Sequence, residues 1–463
     1  MKIAAILLSC LLLLSCEEEP AVSIDGDWEG AITVQGMEIG LTVKFATVDG
    51  ELTAVMDIPE QFAYGLPLTN VSFDGTNVHF ELDSPIGLAT YEGTLKDDRI
   101  SGSFTQSGAE GEFVLNRAVP EELPYDTEEV SIEAAPGVTL AGTLSLPRTD
   151  GPHPAVVFIT GSGPQNRDEE VFGFKPFKLL ADYLTPLGVA VLRCDDRGIG
   201  GSTGAGAEVT TVDLADDVAA QMDFLAKRPE IDPGRIGLLG HSEGSIVAGM
   251  VAARTGGPAF VILMGGPAYN GAEIVKSQLV LLSRAEGATE EEIAKGLDIQ
   301  ERIFAALRTG GDLEGLKAEA ADIIRESIAS LSEEERARIP DVDAYVDATV
   351  EAQFAAVQSP WFRFFMDYDP ALDLAKITRP LLAVWGEFDL QVPAEGNRAR
   401  MDEVLSKAGN TDYTLEIFPR ANHLFQETDT GAFSEYAELP KEFAPGFLDL
   451  ISGWLLPRVG IPQ

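Results

Sequence analysis

Short runs rich in β-branched and aromatic residues fill residues 24–117, among them "LTVKF", "ELTAVMDI", "NVHFEL" and "ATYEGTL". "DG" pairs at 49–50 and 74–75 break the runs where a hairpin would turn. The pattern predicts a small all-β domain, a sandwich or a barrel. "AVPEELPYDTEE" follows, and its proline and glutamate content predicts a linker over 118–127. From 128 to 457 the rhythm changes. "VSIEA" and "VTLAGTLSLP" read as a hairpin. Six runs then alternate with helix-length segments: "AVVFIT" (155–160), "GVAVLRC" (188–194), "RIGLLG" (235–240), "AFVILMG" (259–265), "LLAVWG" (381–386) and "YTLEIF" (413–418). Several are apolar without alternation, as strands of a parallel sheet buried on both faces must be. The prediction is a doubly wound, mostly parallel α/β domain. Residues 270–358 contain no strand-like run, and Ile293, Leu297, Phe304 and Leu307 fall at helical spacing. They predict a helical insertion at a strand's C-terminal edge, where a cap over the site would lie.

Composition changes the picture in two ways. The 463 residues carry a formal net charge of −42, which argues against nucleic acid or any partner that needs a basic surface. The first residues stand apart from the fold. Lys2 precedes an apolar run too short to span a bilayer and suited to a signal segment, and "LLSC" ends at Cys16 before "EEEP". This resembles a bacterial lipobox. The resemblance implies removal of residues 1–15, lipidation of Cys16, and an exported lipoprotein held on a membrane of the cell envelope. Cys194 ends an apolar strand and reads as a buried thiol. With no C-x-x-C, H-E-x-x-H or Walker loop, no metal or cofactor site is expected.

Two stretches match G-x-S-x-G, around Ser202 and around Ser242. Ser242 follows the strand "RIGLLG" and precedes the helix-like "SIVAGMVAAR", which is the strand–turn–helix context of a nucleophile elbow. Gly240 and Gly244 would let strand and helix close around it. Ser202 lies in the glycine-rich loop "DDRGIGGSTG" and reads as a turn residue. A serine nucleophile needs a base, and the chain has only four histidines. His79 lies in the β-domain. His153 stands at the start of a strand, the wrong edge of the sheet. His241 adjoins Ser242, and consecutive residues in such a turn point apart. His423, just past the last strand, remains. Asp389, after "LLAVWG", is placed to orient it, and the order Ser242, Asp389, His423 is that of the α/β-hydrolases. The oxyanion donors expected are the amide of Glu243 and one from "ITGSGPQ", that of Ser162 first and Gly163 second. The polar clusters at 166–170 and 195–198 read as loop-fixing ion pairs. The aromatic run "SPWFRFFMDYDP" (359–370) either lines an acyl pocket or packs the cap onto the core.

Taken together, "ITGSGPQNRDE", "VLRCDDRGIGGSTG", "GLLGHSEGS", "SPWFRFFMDYDP", "GEFDLQVP" and "NHLFQ" resemble bacterial α/β-hydrolase esterases, relatives of the serine aminopeptidase-like hydrolases. The match runs over about residues 125–457, and the N-terminal β-domain resembles one often attached to the group. The resemblance implies a serine carboxylic ester hydrolase acting on a small-molecule, short-acyl ester, with Ser242, Asp389 and His423 as triad. Ser245 departs from it, standing where relatives often carry a second glycine. An exported peptidase using the same triad and a noncatalytic binding lipoprotein are the alternatives.

Overall fold

The computed structural model describes residues 23–462 apart from 35–36, 49, 62, 85–86, 120–121, 205, 207, 255–256, 331, 333–335, 337–338 and 340. Cys16 and the segment before it lie outside the described residues. The chain divides into two compact units, one holding most of the N-terminal β region and one holding everything after residue 120.

In the first region β1 (Gly26–Val34), β2 (Met37–Val48), β3 (Glu51–Ile58), β4 (Ala63–Pro67), β5 (Thr69–Phe73), β6 (Asn77–Leu82), β7 (Ala89–Lys96), β8 (Arg99–Gln106) and β9 (Ala109–Arg117) form one sheet. Its order is β4-β3-β2-β1-β9-β8-β7-β6-β5. Alternate residues point inward, so Val78, Phe80 and Leu82 of β6 are buried while their neighbours are not. Phe80 meets Phe45 and Phe113, from strands well removed in the sheet order, at 5.7 Å each. The sheet therefore curls over its own inner face instead of stacking against a second one.

In the second unit β10 (Asp126–Ala135) and β11 (Val138–Leu146) pair as an antiparallel hairpin. They lead into β12 (His153–Ile159), β13 (Ala190–Cys194), β14 (Ile231–His241), β15 (Val261–Met264), β16 (Leu381–Gly386) and β17 (Tyr413–Phe418). The order is β10-β11-β13-β12-β14-β15-β16-β17, with β12 to β17 parallel. Neighbouring residues on these strands enter opposite cores. Val157, Leu238 and Leu263 pack with α2 (Thr211–Leu225) and α3 (Glu243–Ala252). Val156, Leu239 and Ile262 pack with α1 (Pro176–Leu184) and a C-terminal helix, Phe447–Arg458. This is why the strand sequences lack alternation. The strand order reverses at β12, whose two neighbours are β13 and β14, and a crevice at their C-terminal ends is the usual ligand position in such sheets.

Between β15 and β16 come α4 (Gly271–Ala285), α5 (Glu290–Thr309), α6 (Leu313–Ser330), α7 (Val342–Gln358) and α8 (Pro360–Asp367). Their ends carry local stop and start signals. Thr289 and Glu292 form a capping box, Gly310 closes α5 at φ 73°, and Ser359 caps α8 with Pro360 in its first turn. Ile299, Leu316, Ile328, Val346, Val350 and Phe354 give these helices a core of their own. Ile293, Phe304 and Leu307 are buried, whereas Leu297 is only partly so.

Candidate active site

Ser242 sits between the end of β14 and the first residue of α3 with φ 52° and ψ −119°. A non-glycine residue held there stores on the order of 1–3 kcal/mol of strain. The flanking glycines show what holds it. A Cβ on Gly240 would lie 2.1 Å from the Gly244 carbonyl oxygen, and one on Gly244 would lie 2.2 Å from that of Ile159 and 2.5 Å from that of Thr160. Strand, turn and helix are thus in backbone contact. Ser245 fits the same space by donating its hydroxyl to the Gly240 carbonyl at 2.8 Å.

The four histidines fall in different places. His79 of β6 lies between Glu81 on its own strand and Glu92 of β7. His153 begins β12, at the opposite edge of the sheet. His423, after β17, is buried and holds Asp389 Oδ2 at 2.8 Å from its Nδ1. Asp389 is fixed in turn by the amides of Gln391 and Val392, at 2.9 and 2.8 Å on Oδ1. With Nδ1 turned to the aspartate, Nε2 is the ring nitrogen left to other partners. Gly265, at φ 58° after β15, lets the backbone approach this imidazole, since a Cβ would lie 3.0 Å from its Cε1. Ser242 and His423 line one cavity of about 320 Å³.

His241 also lines that cavity, but both of its nitrogens are engaged. Nδ1 is 2.8 Å from Glu169 Oε1 and Nε2 is 3.0 Å from the His423 carbonyl oxygen. Burial opposes charge on this ring. The Glu169 carboxylate and the His423 carbonyl outweigh it, and the imidazole is held above its ordinary value.

The loop after β12 is gripped at both ends. Asp196 accepts the Thr160 hydroxyl at 2.6 Å and the Gln165 amide at 3.0 Å. Burial pushes its carboxyl up to about 8. Glu169 Oε1 takes the Gly161 amide at 2.6 Å. Ser162 lines the cavity, and Gly163 is not among the residues that do. Glu243 opens α3, so its amide precedes the helix's own hydrogen-bond ladder. Its side chain is buried and accepts from Thr211 at 2.7 Å and from Trp361 of α8 at 2.8 Å. Burial holds that carboxyl above its ordinary value against these bonds and a further one from Ser162.

Ser202 is a turn residue bonded to backbone on both sides. It donates to the Asp195 carbonyl and accepts the Ala141 amide, both at 2.9 Å. The clusters at 166–170 and 195–198 form ion pairs, Arg167 with Asp195, Arg193 with Asp168, and Arg197 with Asp217. The Cys194 thiol is buried and pushed up to about 12. In the aromatic run Trp361, Phe362 and Phe365 line the cavity, and Trp361 stacks on Phe365. Phe364 stacks on Tyr368 instead. The sequence reading missed the side-chain roles of Glu169, Asp196 and Glu243 and the approach of Gly265. Only Gly265, in a glycine pair directly after a strand, left a local signal.

A strained serine at a strand–helix elbow, beside a histidine–aspartate pair at the carboxyl edge of a parallel sheet, defines a class of hydrolase. The model of the alpha/beta hydrolase family matches residues 156–436, and the chain belongs to that family. It is similar to esterase EstD of Thermotoga maritima, 23% identical over 329 residues, covering 71% of this chain and 67% of the relative. It is similar to esterase FrsA of Yersinia enterocolitica over a shorter stretch, 31% identical across 141 residues, 30% of this chain and 32% of the relative. Among solved structures, the Pyrococcus furiosus esterase Pf2001 covers 74% of this chain and 97% of its own, with 17% identity and a TM-score of 0.44.

Proposed function

We propose that the protein is a serine carboxylic ester hydrolase acting on short acyl esters. One observation carries the reading: Ser242, in strained elbow geometry, and His423, oriented by Asp389, share one cavity wall. His423 Nε2 takes the Ser242 hydroxyl proton as Oγ attacks the ester carbonyl. The amides of Glu243 and Ser162 receive the oxyanion. Collapse expels the alcohol, which takes that proton from His423, and leaves an acyl-enzyme. Water activated by the same imidazole then releases the acid. The modest cavity and its aromatic wall from α8 favour a short acyl group. The similarity to EstD and FrsA agrees with an ester substrate.

The peptidase alternative needs a free carboxylate for a substrate amine. The acidic groups of the 166–170 loop offer no open carboxylate: Asp168 pairs with Arg193, Glu170 with Lys175, and Glu169 bonds His241 and Gly161 through Oε1 while its Oε2 is buried without a partner. That favours the ester. The test sets p-nitrophenyl esters against aminoacyl amides, with fluorophosphonate labelling. Ser242→Ala should lose several orders of magnitude in turnover and all label. Ser202→Ala should keep both while losing about 1–3 kcal/mol of stability, because the Ala141 amide loses its acceptor. Label on Ser202, or full activity in the Ser242 variant, overturns the assignment.

The segment ending at Cys16 carries a separate part of the proposal, lipid anchoring at the cell envelope. Mass spectrometry of the mature protein should find an acylated Cys16 at the N-terminus, and an unmodified N-terminus elsewhere would rule it out.

A further inference from the structure

Glu169 and His241 do not belong to the Ser242–Asp389–His423 triad, yet they lie within its cavity wall, 2–5% exposed. Their hydrogen bonds run in one line. The Gly161 amide donates to Glu169 Oε1 at 2.6 Å, His241 Nδ1 faces the same oxygen at 2.8 Å, and His241 Nε2 faces the His423 carbonyl oxygen at 3.0 Å. A carbonyl can only accept, so Nε2 carries a hydrogen. Glu169 Oε1 accepts the Gly161 amide at short range, and a single hydrogen joins it to His241 Nδ1. Whichever partner holds that hydrogen the buried pair has no net charge, and the imidazole, held above its ordinary value, is the favoured holder.

The three pieces joined in this way come from different strands. Gly161 opens the loop after β12 that supplies Ser162, His241 ends β14 next to Ser242, and His423 lies beyond β17. Close backbone contact at Gly240 and Gly244 holds Ser242, and Asp389 orients the His423 ring, but neither sets the distance from that ring to the oxyanion loop. The Glu169–His241 pair spans that interval. The rings of His241 and His423 also touch, with centroids 4.6 Å apart.

We propose that Glu169 and His241 are positioning residues for this site: a buried strut that fixes the oxyanion loop and the His423 backbone at one separation. The inference rests on the hydrolase reading above. Asp389, on the loop after β16, acts on His241 through its charge, and Asp196, after β13, and Glu169 act on each other. Neither Asp389 nor Asp196 bonds to the His241 ring.

The test uses the full-length protein with Glu169→Gln and His241→Gln. Both should keep KM for p-nitrophenyl butyrate within about two-fold and lose about ten- to hundred-fold in kcat, because the groups act on the geometry of the transition state and not on binding. Fluorophosphonate labelling of Ser242 should slow in step. Only four histidines are present, so ¹⁵N-histidine labelling resolves the rings one by one. His241 should show a hydrogen on Nε2 in the wild type, and its Nδ1 signal should shift in Glu169→Gln. Folded variants with wild-type kcat overturn the positioning role. A wild-type His241 with no hydrogen on Nε2 breaks the link to the His423 carbonyl and overturns it even if the variants do not fold. An inert wild type that takes no label is a different result, which defeats the hydrolase reading itself.

Discussion

Adding one methyl group at Gly244 tests the elbow and the oxyanion loop together. The Cβ of Gly244→Ala would stand 2.2 Å from the Ile159 carbonyl oxygen and 2.5 Å from that of Thr160. Carbon–oxygen contacts settle at about 3.3–3.6 Å, so α3 and the end of β12 must part by about 1 Å. Both clashing atoms are backbone, and neither can swing aside. They immediately precede Gly161 and Ser162, so the displacement falls on the proposed oxyanion amide relative to Ser242. A misplacement of about 1 Å costs about a hundred-fold in rate, or about 2.7 kcal/mol of barrier. Overpacking of this kind removes about 1–3 kcal/mol of stability. Gly249 supplies the control. It lies on the same helix, and a Cβ there meets nothing within 4 Å. Gly249→Ala should leave kcat unchanged and stabilise by about 0.5–1 kcal/mol, as alanine does in a helix interior. The assay is kcat on p-nitrophenyl acetate with the rate of fluorophosphonate labelling, on variants whose urea unfolding is cooperative. A folded Gly244→Ala enzyme with wild-type kcat and labelling would refute the close-contact argument. Equal losses at both positions would assign the effect to the helix and not to the elbow.

Two further predictions concern groups behind the site. Trp361→Phe keeps an aromatic face in the cavity but removes the donor to buried Glu243, which should cost about 1–3 kcal/mol. With Phe365→Ala it should change kcat/KM unevenly across C2 to C12 esters. A parallel loss at every chain length would make these side chains packing alone. Asp196 has its carboxyl raised from 3.8 to about 8 in the folded protein. Between those values the native state binds a proton that the unfolded chain has released, so this group's stabilisation is complete below about pH 4 and is lost as pH rises through about 8. Asp196→Asn removes the titration and keeps one acceptor oxygen, at the cost of turning its amide nitrogen toward the other of the two donors, Thr160 and Gln165. Its urea-derived stability should fall less than the wild type's between pH 5 and 8, and parallel curves would disprove the buried neutral acid.

Much of this protein was readable from short stretches of chain. The strands of the parallel sheet announced themselves because both faces are buried, so Val156 and Val157, or Leu238 and Leu239, are apolar side by side. The elbow was readable because its glycines answer a local demand, a backbone too close for a Cβ. Four histidines reduced the search for a base to position and order. Tertiary structure decided the rest. Alternation in 24–117 specifies which residues point inward, but not whether nine strands stack as two sheets or curl as one; contacts such as Phe45 with Phe80 and Phe113 decide that. The spacing of the aromatic run predicts a helix face without saying that Phe365 turns to the cavity while Phe364 turns to Tyr368. Glu169 reaches His241 across 72 residues and Glu243 reaches Trp361 across 118. A glutamate in so acidic a chain carries no mark of such a partner. Periodicity records only whether a position meets water or the interior, whereas a buried hydrogen bond depends on where two distant backbones come to rest.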